Sequence, residues 1–173
     1  AREKAGIIKP QRPVVSGVTN PAARAVIETI AKQRGSPLCQ LDRDFAVNYH
    51  SPTRLDESQP VAEFYQMKNG QAQKKFDSEI GTLGRHQAAN AAVAVAACEQ
   101  LKESRIDVAA IQRGLSSTHC PARIQITQRN PLVILDTAHN VASVDALCEV
   151  LAESQQPSPS VLLFASTQEK DVR

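Results

Sequence analysis

The chain has 173 residues, of which 42% are hydrophobic and 22% are charged, and its formal net charge is +2. That length and composition suffice for one domain of ordinary size or for two small ones. Lysine and arginine are scattered among the acids, and aromatic residues make up 3% of the chain, with no tryptophan. A nucleic-acid-binding role is therefore not expected, because it needs a basic stripe or a platform of aromatic side chains.

The four cysteines lie far apart in the sequence and form no C-x-x-C pair. Cys98 and Cys148 fall within apolar helical patterns, which is typical of buried free thiols in a reducing compartment. The sequence shows no secretory signal pattern and no apolar run long enough to span a bilayer. We therefore expect a cytoplasmic protein without a membrane partner.

The first part of the chain predicts alternating helices and strands. The stretch "REKAGIIKP" has the pattern of a helix end that leads into a turn. A β-branched run predicts a strand from Val14 to Val18, and a helix follows it, with Asn20 as its N-cap and Gly35 after its last turn. Since "PLCQLD" then predicts another strand, we expect a parallel sheet with helices packed against it.

The middle of the chain predicts a small antiparallel region. Asn69-Gly70 is a hairpin signal, and we expect "VAEFYQM" and "QAQKKFDSEI" to pair across it. The stretch "NYHSPTRLDESQP" predicts a mobile surface loop in which His50 is solvated.

Two helices and a domain boundary are predicted next. An alanine-rich stretch predicts a helix from His86 to Lys102, and a shorter helix follows that ends near Gly114. Pro121 disfavours helix at the residue before it, so the boundary is expected at residues 118–121.

Beyond this boundary the sequence predicts a second α/β unit. "RIQIT" and "PLVILD" predict two strands, "HNVASVDALCEVLAES" predicts a helix, and "VLLFAS" predicts a further buried strand. Strand, helix and strand in this order predict a βαβ unit with a right-handed crossover. The fold class predicted for the whole chain is therefore α/β.

The end of the second of these strands is a candidate site, because ligands of parallel α/β units bind beyond the carboxyl ends of strands. Four polar residues lie there, just before a helix N-terminus that favours anions: Asp136, Thr137, His139 and Asn140. Asp136 and His139 together are suited to general acid–base catalysis. The structural alternative is that Asn140 or Ser143 caps the helix and Asp136 binds local amides. No neighbouring serine or cysteine supports a hydrolytic triad.

Three other positions carry chemistry that the sequence leaves open. Arg123, just past the boundary, can fork onto phosphate oxygens, although a solvated linker arginine is commoner. Gln87 and Asn90 share a helix face, so both amides can contact one ligand, whereas His86 beside them is more typical of a structural histidine. Lys4 has the pattern of an ordinary helix-end lysine. The sequence contains no G-x-x-x-x-G-K-[ST] loop and no zinc-site spacing.

Five motifs taken together nevertheless resemble the folylpolyglutamate synthase and dihydrofolate synthase family, which is related to the Mur ligases. They occur in the family's order, as "EKAGIIKP…PVVSGV", "GRHQAANAAVAVAAC", "PARIQ", "ILDTAHN" and "EKDV". The resemblance implies an ADP-forming ligase that phosphorylates a folate or dihydropteroate carboxylate, after which the amine of L-glutamate attacks the acyl phosphate. The implied cofactors are ATP and Mg²⁺, and the implied partners are these small substrates.

The resemblance also implies a domain order and a set of site residues. Residues 1–119 would be the C-terminal part of a Mur-ligase-like ATP-binding domain, and residues 120–173 the N-terminal part of the Rossmann-like domain that follows. Lys4 matches a lysine that becomes carbamylated, and the carbamate would supply an oxygen ligand to a second Mg²⁺. Three positions match residues that contact the nucleotide, namely Asn90, Arg123 at the hinge and Asp136. His139 lies beside Asp136 in the same cleft.

The sequence departs from the family pattern in two ways. Thr137 and Val141 stand where the family usually has glycine and proline, and the threonine is expected to tighten the loop around His139. The family's phosphate loop and two of its metal ligands lie upstream of the lysine and are not in this sequence. We therefore expect the central part of a larger ligase, inactive alone and prone to self-association.

Two alternatives remain at the level of sequence. One is a Mur-type ligase that joins an amino acid to a cell-wall precursor by the same chemistry. The other is a non-catalytic binding module that has kept the scaffold.

Overall fold

A parallel strand pair with a crossover helix begins the fold of the computed structural model, which describes residues 1–155 and 161–165. Strands β1 (Val14–Ser16) and β2 (Leu38–Gln40) pair in parallel, and α2 (Pro21–Gln33) connects them. The short helix α1 (Arg2–Ala5) packs against α2. Asn20 caps α2 as predicted, since its side chain accepts the N–H of the third helical residue at 3.1 Å. The predicted strand–helix–strand order is confirmed.

The middle of the chain forms a three-stranded antiparallel sheet. Its order is β3 (Phe45–His50), β4 (Val61–Lys68) and β5 (Gln71–Glu79). Asn69 and Gly70 connect the last two strands with φ of 52° and 76°, and two positive φ values are what a type I′ hairpin turn requires. The predicted hairpin is thus confirmed. Strand β3 was not predicted, because half of it had been assigned to the following loop.

One long helix packs the two sheets together. Helix α3 (Arg85–Leu101) lies against β1 and β3, and its small buried residues allow a close approach to the strands. Helix α4 (Val108–Ser117) packs against β5 and extends three residues beyond the predicted end near Gly114. In this last turn the hydroxyls of Ser117 and Thr118 each donate to a carbonyl four residues earlier, at 2.7 Å.

The last part of the described chain is a hairpin followed by a helix. Strands β6 (Gln125–Arg129) and β7 (Leu132–Leu135) pair antiparallel, and α5 (Val141–Glu153) follows. The prediction of a buried strand at "VLLFAS" is wrong for residues 161–165, which form no strand and are exposed. A short apolar run does not by itself specify a strand, which must also find an edge to pair with. Ser166 and the motif "EKDV" lie outside the described residues.

The loop at residues 51–60 is not the mobile surface loop predicted from its polar sequence. Leu55 is 3% exposed and packs with Leu83, Ile124 and Val150 in a second hydrophobic core, here called the junction cluster. The carbonyl of Thr53 also accepts the N–H of Gln155 at 2.9 Å. The loop therefore connects the first part of the chain to the hairpin and α5.

His50 is not simply solvated either, since its Nε2 lies 3.2 Å from a carboxylate oxygen of Glu63 on β4. The predicted α/β class is confirmed by the parallel pair, the antiparallel sheets and the helices packed on them. Within the described residues, no helix has the length and apolar character needed to cross a bilayer.

Candidate functional site

Asp136 directly follows β7 and holds the hinge turn at residues 122–124. One of its oxygens accepts the N–H of Ile124 at 2.8 Å, and the other accepts the N–H of Ala138 at 2.5 Å. Ala122 and Ile124 have positive φ values of 55° and 48°, which are costly for residues other than glycine. The carboxylate thus stabilises a backbone shape that the sequence alone disfavours. This is the local bonding that sequence analysis had set against a functional role.

The strained turn presents Arg123. Thr137 fixes the turn from the other side, because both its N–H and its hydroxyl donate to the carbonyl of Ala122 at 3.0 Å. Thr137 therefore ties the end of β7 to the turn at residues 122–124. Arg123 itself is exposed, and its guanidinium makes no hydrogen bond with a described residue. A fixed backbone with an unengaged cationic fork is suited to binding an anion.

His139 and Asn140 lie at the start of α5. The Asn140 side chain accepts the N–H of Ser143 at 2.9 Å, and the Ser143 hydroxyl accepts the N–H of Asn140 at 3.1 Å, which is a complete capping box. Nδ1 of His139 lies 3.0 Å from the carbonyl oxygen of Thr137, which can only accept, so in the neutral form of the ring the proton is on Nδ1 and Nε2 can accept. Asp136 and His139 do not hydrogen-bond to each other in the described structure.

The start of α3 is built around Gly84. Its φ of 101° lies in a region that other residues rarely adopt, and its N–H donates to the Tyr49 hydroxyl at 2.9 Å. A Cβ at this position would lie 2.8 Å from the His86 ring and 2.9 Å from a methyl group of Val150 on α5. Glycine therefore lets α5 and α3 touch here. It also leaves the first amides of α3 without a side-chain cap, which favours an anion nearby.

Asn90 lies one turn further along α3, on the face that carries Gln87 and His86. The Asn90 amide donates to the Gln87 side-chain carbonyl at 3.2 Å, so the two amides are in contact as their spacing predicted. Although His86 as a residue is exposed, its ring covers Gly84, and this partial burial lowers the pKa of His86. Asp136 and Glu149 act in the opposite direction and Arg123 reinforces the lowering, so these charges lie within electrostatic range of the ring.

Lys4 is not bonded to the residues around the start of α3. It is exposed on α1, and its side chain forms no hydrogen bond or ion pair with a described residue. Within residues 1–155 and 161–165, no group of three histidine, cysteine, aspartate or glutamate side chains is placed to hold a metal ion. Arg123 and Asp136 thus lie within electrostatic range of His86 at the start of α3, whereas Lys4 lies on α1.

Sequence analysis missed Arg85, the first residue of α3. Its guanidinium contacts Glu149 and Glu153 on α5 and lies 5.9 Å from the centre of the Tyr49 ring. The available signal was an arginine at a helix N-terminus, where a cation is electrostatically unfavourable unless carboxylates compensate it.

Several proteins similar to this chain belong to the enzyme class that the motifs suggest. The chain is 33% identical over 175 aligned residues to the dihydrofolate synthase/folylpolyglutamate synthase of Bacillus subtilis, covering 98% of this chain and 39% of that protein. It matches a folylpolyglutamate synthase complex with AMPPCP and folate at a TM-score of 0.74 and 29% identity, over 88% of this chain and 36% of that chain. The Mycobacterium tuberculosis folylpolyglutamate synthase complexed with ADP gives a TM-score of 0.74 at 26% identity, over 87% of this chain and 33% of that chain. No family model matches the sequence.

A Mur ligase is similar over a shorter stretch. The UDP-N-acetylmuramoyl-L-alanyl-D-glutamate–L-lysine ligase of Streptococcus thermophilus is 36% identical over 91 residues, which covers 51% of this chain and 18% of that enzyme. The relationship to Mur ligases expected from the motifs is therefore supported, and the more extensive match is to the folate enzymes.

Proposed function

Since the chain belongs to the folylpolyglutamate synthase and dihydrofolate synthase family over the stretch that it spans, we propose that its protein ligates L-glutamate to folate or dihydropteroate with ATP. The observation that carries the proposal is the 33% identity that extends over 98% of the chain. The chain spans 39% of the length of that relative, so the activity, the substrates and the partners of the whole protein are all part of the proposal.

We propose that the nucleotide binds where the hinge meets the start of α3. Arg123 would contact the phosphates, because its guanidinium has no partner among the described residues and the neighbouring helix start has no side-chain cap. Asn90 would contact the nucleotide through the amide atoms that its bond to Gln87 leaves free. A triphosphate fits this combination of a cationic fork and free backbone amides. ATP, when bound, supplies the phosphoryl group that activates the substrate carboxylate.

Asp136 and His139 would shape the same site from the other side. Asp136 already accepts two backbone amides, so its first role is to hold the turn that presents Arg123, and its remaining lone pairs can accept from a nucleotide hydroxyl. Nε2 of His139 is left as an acceptor, which suits it to receive a proton from an incoming amine. The rest of catalysis in such a site is alignment.

Magnesium fits the described residues less well. A carbamate on Lys4 would be one hard oxygen ligand, yet no described cluster of three candidate ligands accompanies it. The proposed role of Lys4 is therefore that of a single metal ligand. Mass spectrometry of the intact chain in bicarbonate buffer tests for the carbamate, with Lys4→Arg as the variant that cannot form it.

We further propose that residues 1–119 and 120–173 correspond to two domains of the parent ligase. The hinge turn at residues 122–124 lies just after this boundary, and side chains on both sides hold its backbone. We also propose that the protein is cytoplasmic.

Nucleotide affinity of the chain tests the proposed site. A fluorescent ATP analogue titrated into the wild-type chain should bind, and Arg123→Ala should weaken binding about tenfold or more, as expected for a lost charge-assisted contact to phosphate. Arg105→Ala is the matched control, because Arg105 is also exposed and, among the described residues, pairs with Glu103 in the loop between α3 and α4. Equal affinities of Arg123→Ala and Arg105→Ala would contradict the assignment.

The substrate is tested on the complete ligase that carries this chain. ADP formation that requires both a folate and L-glutamate supports the proposal, whereas ADP formation that requires a UDP-linked muramyl precursor supports the Mur-type alternative. That alternative is kept because of the similarity that covers 51% of the chain.

A further inference from the structure

We infer that Arg85 is a positioning residue, which clamps α5 against the start of α3 and so aligns the hinge residues with Asn90. The inference builds on the proposed nucleotide site, because it concerns how the two sides of that site are held together. Arg85 itself touches none of the three proposed nucleotide contacts in the described structure. Its role would be exerted through two glutamates of α5.

The clamp is a forked contact across the boundary between the two parts of the chain. Nη2 of Arg85 lies 2.6 Å from a carboxylate oxygen of Glu153, and Nε lies 2.8 Å from the same oxygen. Nε is also 3.4 Å from Glu149. The two glutamates are four residues apart, so they lie on one face of α5. One guanidinium thus contacts two successive turns of the helix, which fixes its rotation as well as its distance.

The clamp surrounds the point of closest approach between the helices. Val150 lies between the two glutamates in sequence, is 1% exposed, and would lie 2.9 Å from a Cβ at Gly84. The Arg85 guanidinium also lies over the Tyr49 ring, whose hydroxyl accepts the N–H of Gly84. Apolar contact fixes the separation of α3 and α5, and the charged fork beside it opposes sliding and rotation.

The position of α5 determines the position of the hinge residues. A capping box connects the start of α5 to Asn140, and Asp136 is bonded to both Ala138 and Ile124. The chain from Arg123 to α5 is therefore tied together by side-chain bonds. A rotation of α5 on α3 would move Arg123 and Asp136 relative to Asn90, which belongs to α3.

The clamp is suited to alignment better than to overall stability. The Arg85 side chain is 55% exposed and that of Glu149 is 50% exposed, so this pair contributes little to folding, whereas the Glu153 side chain is 22% exposed and the loss of its partner costs more. Removing the fork should leave the chain folded, while the population in which α5 is displaced should rise about fivefold. Binding that depends on both sides of the site should weaken by a similar factor.

The inference is tested by the distance between spin labels on α3 and α5. The labels are placed at exposed positions outside the clamp, in a background where the native cysteines are serine, as Ala97→Cys and Asp145→Cys. We expect a narrow distance distribution in the parent and a broader, shifted one for Arg85→Gln, with the variant still folded at the temperature of the measurement. Arg85→Gln keeps part of the stem over Tyr49, so it separates the fork from simple packing.

A double-mutant cycle shows whether Arg85 acts through Glu153. If it does, the double variant should broaden the distribution no further than Arg85→Gln alone, and Glu153→Gln should have a smaller effect because Arg85 keeps its contact with Glu149. Additive effects, or a distribution that Arg85→Gln leaves unchanged, would overturn the inference. The matched control is Arg105→Gln, which removes an exposed arginine away from α5.

The affinity for the ATP analogue, measured on the same variants, separates the inference from the proposed function. Weaker nucleotide binding by Arg85→Gln alongside the broadened distribution supports both. If no variant binds nucleotide while the distances respond as expected, the clamp stands and the proposed site fails. If the chain binds nucleotide and the distances do not respond, the clamp fails and the proposed site stands.

Discussion

Replacing Leu55 by alanine tests whether the loop at residues 51–60 is part of the folded core. Leu55 is 3% exposed, and its side chain packs in the junction cluster with residues from the hairpin and α5. Leucine-to-alanine changes at buried sites cost about 2–5 kcal/mol, depending on how far the surroundings collapse. A loop residue in a cluster of four buried side chains can relax in part, so we expect a loss of about 2–3 kcal/mol in the free energy of unfolding.

Thermal unfolding followed by far-UV circular dichroism measures this loss. For a chain of this size, each kcal/mol lowers the melting temperature by about 2–4 °C, so Leu55→Ala should melt about 5–10 °C below the wild type. Leu101→Ala is the matched control, because Leu101 is 68% exposed at the end of α3 and its truncation should change stability by less than about 0.5 kcal/mol.

Limited trypsin digestion gives an independent measurement of the same loop. Arg54 is bonded to Asp56 at 3.1 Å and precedes the buried leucine, so cleavage after it should be slow in the wild type. Leu55→Ala should accelerate that cleavage, because the loop loses its anchor. Equal melting temperatures for Leu55→Ala and the wild type, with fast cleavage in both, would refute the buried-anchor reasoning and restore a mobile loop.

Three further changes have defined outcomes. Gly84→Ala should lower the free energy of unfolding, measured by chemical denaturation, more than Gly35→Ala does. Both glycines have positive φ, but of the two only Gly84 has atoms within 3 Å of the added Cβ, and equal losses would mean that the contact with α5 is dispensable. A bond from Lys74 is the largest cause that lowers the pKa of Glu63 to about 2, so ¹³C-detected titration should place its midpoint there, and Lys74→Ala should raise it. Because this pKa is depressed, the stabilisation from the ionised Glu63 is present above pH 4.5 and is lost as the pH falls towards about 2. Gln40→Met should raise stability by about 1 kcal/mol, since Gln40 is 1% exposed and neither amide atom has a partner; a loss of stability would show that the amide is satisfied by an internal water.

Features with a local sequence signature were predictable. Asn69-Gly70 specifies its hairpin because both residues tolerate positive φ, and Asn20 specifies the start of α2 because its side chain reaches the free amides of the first turn. The end of β7 was found by the same kind of rule, since an apolar run that stops at a polar residue marks a strand end. These signals lie within a few residues of what they specify.

Features that depend on distant partners were not predictable. Leu55 is a single apolar residue among polar ones, which produces no periodicity, and its burial depends on Ile124 and Val150 far along the chain. Arg85 at a helix N-terminus indicates that carboxylates compensate it, but nothing in the sequence shows that these are two glutamates of α5. Residues 161–165 show the converse, because a strongly apolar run remains exposed where no strand edge pairs with it.

Asp136 shows that a structural role and a functional role need not exclude each other. Sequence analysis set a ligand contact against bonding to local amides, and the local bonds are present, from Ile124 and from Ala138. A carboxylate has about four lone-pair directions, so two remain after these bonds. The local bonds stabilise the positive φ of the hinge turn and thereby fix the backbone of Arg123. A carboxylate that was free of such bonds would contact a ligand less accurately, because neither it nor the neighbouring arginine would be held in place.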